Sequence, residues 1–194
     1  MPPSTPTEVA AEAKRPLRAD ARRNYERLVA AARAELRERE SAASLEEIAR
    51  RAGVGIGTLY RHFPTRLDLL EAVYREDVEA LASQAEILRD TASPWDGLEG
   101  WLSFFIDYAV TKRALFHELV DAVGKDSELL THSREVIVGS LTATLTRAQE
   151  AGVARPDVEP SDLMRLVGGC TMMGVLDAAQ RERLLRIVLD GIRR

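Results

Sequence analysis

Residues 44–70 read SLEEIARRAGVGIGTLYRHFPTRLDLL, a stretch with the form of two short helices joined by a tight turn and followed by the start of a third. Ser44 and Glu47 stand at capping-box spacing, the hydroxyl accepting from the backbone three residues on while the carboxylate reaches back to the cap. Leu45, Ile48 and Ala49 then recur at helical spacing, and Arg50 and Arg51 fall in the last turn, where the helix dipole favours cations. Gly53 follows as a left-handed cap, with Val54 behind it to plug the angle between the helices. The second helix is short, about Ile56 to His62, because the residue before Pro64 is biased away from helical geometry.

Two helices meeting across a short glycine-containing turn make a helix-turn-helix, whose second helix can enter the major groove of DNA; a plain helical corner has the same spacing. Particular residues decide between them. Ile48-Ala49, Ala52-Gly53-Val54, Gly57-Thr58-Leu59-Tyr60, His62-Phe63-Pro64 and the run from Arg66 to Leu70 resemble the DNA-binding region of the TetR family of bacterial transcriptional regulators. That resemblance is specific over residues 20–70 and continues as helix layout beyond. Trp101-Leu102 and the run from Tyr108 to Arg113 also resemble the C-terminal domain of the SbtR-like branch.

The resemblance implies that Gly57 lets the backbone approach DNA and that Thr58, Tyr60, Arg61 and His62 face it, with Arg66 holding a phosphate at the start of the next helix. With Ser44, these are the expected DNA-contacting residues. Their chemistry is consistent: Arg61 can pair with guanine O6 and N7, Thr58 can offer a hydroxyl or methyl to a base edge, and Tyr60 and His62 suit phosphate oxygens. Gly55 and Ile56 depart from the family, which commonly has a hydroxyl cap and a polar or basic residue there. Glycine is a weaker cap than serine, and Ile56 can give a base only apolar contact.

Charge supports a nucleic-acid module despite the net −4 of the 194-residue chain. Residues 14–66 carry 13 Lys+Arg against 7 Asp+Glu, whereas residues 67–194 carry 14 against 22. A basic head on an acidic body suits a module that must neutralise phosphates. Apolar residues at 45% and charged residues at 30% describe a helix-rich globular protein, and no hairpin dipeptide stands between alternating stretches. A single cysteine, Cys170, precludes an internal disulfide; with no secretory leader and no membrane-spanning run, this points to a cytoplasmic protein.

Residues 1–17 hold four of the eight prolines and read as a disordered basic arm ending in Lys14, Arg15 and Arg18. The DNA-binding domain follows at 18–66, its first helix running from about Asp20 to Arg39 with Tyr25, Leu28, Val29, Ala32 and Leu36 on one stripe. Residues 67–194 form the rest of the chain, expected from the resemblance to be the ligand-binding and dimerisation domain, and are entered by a long helix from Arg66 to about Leu88 that can carry a shift from one part to the other. From Pro94 to Lys112, Trp101, Phe104, Phe105 and Tyr108 recur at helical spacing. Such a stripe is either core or the wall of a small-molecule site. With Phe116, His117 and Val120 on a following short helix, and His132 and Ile137 beyond, these form the candidate ligand pocket. His117 and Asp121 lack a third metal ligand. The last two helices carry Leu163, Leu166, Val167, Cys170 and Met173, then Leu184, Leu185, Val188, Leu189 and Ile192; the resemblance implies a four-helix dimer interface there.

The expected fold is all-α, about nine helices in two domains. The expected function is a homodimeric regulator, a repressor as the resemblance implies, released from a palindromic operator by a largely apolar small molecule, without metal, cofactor or membrane. A constitutive DNA-binding regulator with a solid aromatic core is the alternative. A small helical enzyme is a remote one, since the chain offers no phosphate loop, nucleophile elbow or metal cluster.

Overall fold

The computed structural model describes residues 6–38, 44–172 and 176–194, with side chains over the same stretches apart from residues 6–18, 37, 111–114, 171 and 172. Lys14, Arg15, Arg18 and Met173 as side chains, and a helix end at Arg39, lie outside that description. The described residues form eight α-helices: α1 (Pro6–Glu38), α2 (Leu45–Ala52), α3 (Ile56–His62), α4 (Arg66–Thr91), α5 (Pro94–Val123), α6 (Glu128–Glu150), α7 (Pro160–Met172) and α8 (Ala178–Ile192). They divide into two compact units, residues 1–73 and 74–194, the division falling inside α4. Sequence reading expects the DNA-binding domain to end at Arg66; Leu69, Leu70 and Val73, in the first turns of α4, are buried.

In the first unit, α1 packs against α2 and α3, and α2 against α3. Leu28, Val29, Ala32 and Leu36 of α1 close on Ile48 and Ala49 of α2, Leu59 of α3 and Phe63, each fully buried large side chain contributing roughly 1.5–3 kcal/mol. The capping box at Ser44 forms, Oγ accepting from Glu47 N–H at 3.2 Å. Gly53 ends α2 at φ 64°, and a Cβ there would also lie 2.5 Å from Arg27 Nη2. Helix α1 begins at Pro6 where sequence reading expects a disordered arm. The stretch between Pro6 and Pro16 is rich in Ala and Glu, good helix formers, and Pro6 stands in the first turn, where proline is tolerated; the helix also runs through Pro16, for which the described residues offer no compensating feature.

In the second unit, α5 packs against α6, α7 and α8, and α7 against α6 and α8. Ser93 caps α5, accepting from Asp96 N–H at 3.2 Å, with Pro94 in the first turn. Ser127 caps α6, and Asp177 with Gln180 makes a second capping box at α8. The short helix expected after Lys112 is instead the continuation of α5 to Val123, because Arg113, Ala114 and Leu115 contain no breaker. Arg147 of α6 donates to Ala92 O at 2.8 Å, and Trp101 Nε1 of α5 donates to Leu81 O of α4 at 3.1 Å. The carboxyl end is tied back by Arg155 N–H to Ile192 O at 2.9 Å and Arg194 N–H to Val153 O at 3.2 Å. Among the described residues no helix is long and apolar enough to cross a membrane.

Candidate DNA-binding surface

The exposed side of α3 is held from below by Leu59, which is fully buried, and by Phe63 at its end. Gly55 starts the helix at φ −70° without a side-chain cap hydrogen bond, as the missing hydroxyl requires. Gly57 is exposed, and a Cβ there would meet nothing within 4 Å, so the backbone of α3 lies open. Tyr60 is 47% exposed and Ile56 39%, two large side chains on the surface of a seven-residue helix.

Arg61 is exposed and folded along its own helix. Its Nε donates to Gly57 O at 3.1 Å and its Nη2 to Thr58 Oγ1 at 3.1 Å. The structure thus brings Gly57, Thr58 and Arg61 into one cluster. His62 is placed differently: half-buried, its ring stands edge-on to Tyr25 at 6.4 Å and tilted against Phe63 at 6.2 Å, and Tyr25 in turn lies 5.2 Å from Phe63. Ser44 is exposed at the start of α2 with its hydroxyl engaged as the cap. Arg66 opens α4 half-buried.

Three contributors escape the sequence reading. Arg27 of α1 donates through Nη2 to Gly53 O at 3.2 Å, fixing the turn between the two helices. Arg51 of α2 donates to Glu35 at 3.1 Å and to both oxygens of Glu38 at 2.6 Å, so it clamps α2 to α1 as well as meeting its own helix dipole. Neither pairing has a sequence signature, because the partners are 26 and 16 residues apart. The third was legible: Thr65-x-x-Asp68 is a capping pattern, and Thr65 N–H donates to Asp68 Oδ2 at 2.8 Å while Asp68 N–H donates to Thr65 Oγ1 at 3.2 Å. A carboxylate therefore already sits at the α4 N-terminus that Arg66 would share with a phosphate.

In the second unit, Trp101, Phe105 and Tyr108 stack in a row, with ring centroids 5.3 Å and 6.1 Å apart, all three buried. Phe104, expected on the same stripe, is 39% exposed; the buried arc of α5 runs through Leu98, Leu102 and Ile106 on the far side of Trp101, which leaves residue 104 outside it. Phe116 and Val120 are half-buried, His117 is exposed and Ile137 is buried. The hydroxyl of Tyr74 faces those of Tyr108 and Ser133, and burial holds both phenols above their ordinary pKa. A cleft of about 630 Å³ opens beside them, lined by Val78, Glu79 and Glu86 of α4 and Glu128, His132 and Val136 of α6. Of the candidate pocket residues, His132 borders it, and Ser133 joins it to the tyrosine pair. Among the described residues no three His, Cys, Asp or Glu side chains come together as a metal site.

Comparison with known proteins agrees with this architecture over both units. Residues 28–73 match the family described as bacterial regulatory proteins, tetR family, and residues 93–194 match the C-terminal domain of SbtR-like transcriptional regulators. The crystal structure of a TetR transcriptional regulator from Streptomyces coelicolor superposes with a TM-score of 0.77 at 38% identity, over 87% of this chain and 98% of that one. A TetR regulator from Mycobacterium vanbaalenii does so with a TM-score of 0.67 at 33% identity, over 92% and 99%. A curated HTH-type transcriptional regulator of Staphylococcus aureus is 29% identical over 75 residues, 38% of this chain. That match spans 40% of the Staphylococcus protein, and a match to the Tn10 TetC protein of Escherichia coli spans 55%, so the chain covers about half the length of these curated relatives. The match to the SbtR-like model over more than half the chain, the two well-covered crystal structures and the formed helix-turn-helix lead to one conclusion: the chain belongs to the TetR family of DNA-binding transcriptional regulators.

Proposed function

We propose that the protein is a homodimeric repressor that holds a pseudo-palindromic operator through α3 of each copy and releases it when a small molecule enters residues 74–194. The observation that carries the DNA-contacting part is the α3 surface, where Gly57, Tyr60 and Arg61 stand exposed on a helix anchored by Leu59 and Phe63. Two copies are needed because one seven-residue helix reads few bases; half-sites about 34 Å apart, or a multiple, put two such helices into major grooves on one face of the duplex. Leu166 of α7 and Ile187 of α8, 50% and 67% exposed, support the last two helices as the dimer contact.

The α4–α6 cleft is the part of the body that favours ligand control, since its volume falls in the range of drug-sized sites. A ligand acts only if it fits one arrangement of the two reading helices better than the other. The closed row Trp101, Phe105 and Tyr108 favours a second reading, a constitutive regulator with no ligand. Fluorescence anisotropy on the DNA flanking the protein's own coding region, repeated across a salt series, tests the proposal. A preference over random duplex that weakens steeply with salt is expected, and equal affinity for both duplexes overturns the operator reading.

A further inference from the structure

We infer that Thr58 does not read DNA itself but sets the edge of Arg61 that does, and that Arg61 so held selects a guanine in each half-site. This rests on the reading of α3 as the helix that meets the bases.

A guanidinium has two forks with which to address a pair of acceptors. One is formed by Nε–H with the neighbouring Nη2–H, the other by the outer hydrogens of Nη1 and Nη2. In Arg61 the first fork is committed within the protein, Nε to the Gly57 carbonyl and Nη2 to the Thr58 hydroxyl, both at 3.1 Å. The second fork carries no bond among the described residues, and it matches O6 and N7 of guanine in the major groove.

The arrangement has a physical use. An exposed arginine loses rotamer freedom when it docks. Two hydrogen bonds made before DNA arrives take most of that loss in advance. They also fix the direction of the remaining fork, so adenine, which offers a donor where guanine has O6, is refused. Gly57 contributes its carbonyl, and the open space where its side chain would be leaves the approach to the groove clear. Thr58 is thus a positioning residue, and its hydroxyl is the part that matters.

The test is selection of duplexes from a randomised DNA pool by the full-length protein and by T58V, T58S and R61A, followed by affinities for each best site with salt dependence. The wild type and T58S select a guanine at one position of each half-site, and R61A loses it. T58V reduces the preference for guanine at that position by about tenfold, with other positions and the salt slope unchanged and thermal stability held. Replacing that guanine by 7-deazaguanine, which lacks the N7 acceptor, weakens the wild type but costs T58V little more. An undiminished guanine preference in T58V, or the same loss in T58S, overturns the positioning role. A guanine retained by R61A overturns the assignment of the reader. Failure of the wild type to enrich any site overturns the operator reading first and this inference with it.

Discussion

Gly53 and Gly57 are four residues apart and have opposite reasons to be glycine. At Gly53 the backbone is left-handed at φ 64°, and a Cβ would meet Arg27 Nη2 at 2.5 Å. Gly53→Ala is therefore expected to lower stability by about 1–2 kcal/mol, read as a fall in the urea midpoint, with loss of the Arg27 bond to the turn. At Gly57 the backbone is helical and the surroundings open, so Gly57→Ala is expected to stabilise the fold by about 0.5–1 kcal/mol. DNA affinity should nevertheless drop, since the added methyl stands on the face proposed to approach the groove. Stability and binding moving in opposite directions would mark Gly57 as a residue kept for function. Gly53 was legible in the sequence because a glycine after an apolar turn has a local cause. The role of Arg27 was not, because its partner lies across the turn and only packing brings the two together.

At the level of the helices, α2 is held to α1 by more than its apolar face. Arg51 meets Glu35, whose side chain is 6% exposed, and Glu38, whose side chain is 57% exposed. The two arms of this clamp differ in worth, since an exposed ion pair contributes little and a buried carboxylate without its cation is costly. Arg51→Ala is expected to destabilise the protein by about 1–3 kcal/mol, and Glu38→Gln by less than about 1 kcal/mol, both measured by thermal unfolding. Most helices were readable from capping residues and periodicity, which are local. The facing of α5 was only partly readable: Trp101, Phe105 and Tyr108 are buried as a stripe predicts, but Phe104 is not, because neighbouring helices choose which arc of a long apolar helix they cover. The α4–α6 cleft had no sequence signal at all, being a property of the space between two helices.

Across the whole molecule, two buried phenols set how stability responds to pH, and the exposed apolar residues of α7 and α8 test the proposed dimer. Burial raises the pKa of Tyr74 and Tyr108 above the ordinary 10.0, so the folded protein keeps protons that the unfolded chain gives up. Their contribution is present in full below about pH 10 and lost progressively as pH rises above it. Tyr108→Phe should therefore flatten the alkaline limb of the stability curve, measured by denaturant unfolding at stepped pH. Ile187→Glu, at a position 67% exposed, is expected to leave the fold of one chain intact, within about 0.5 kcal/mol, and to shift sedimentation toward a monomer with loss of operator affinity. The indole of Trp101, fully buried and bonded to Leu81 O on α4, adds an optical consequence. The chain's other tryptophan, Trp95, is half-exposed beneath the guanidinium of Arg193, so the two rings emit from unlike surroundings. Leu81 lies between cleft-lining residues of α4, and a molecule that displaced α4 from α5 would break the Trp101 bond and redden its emission.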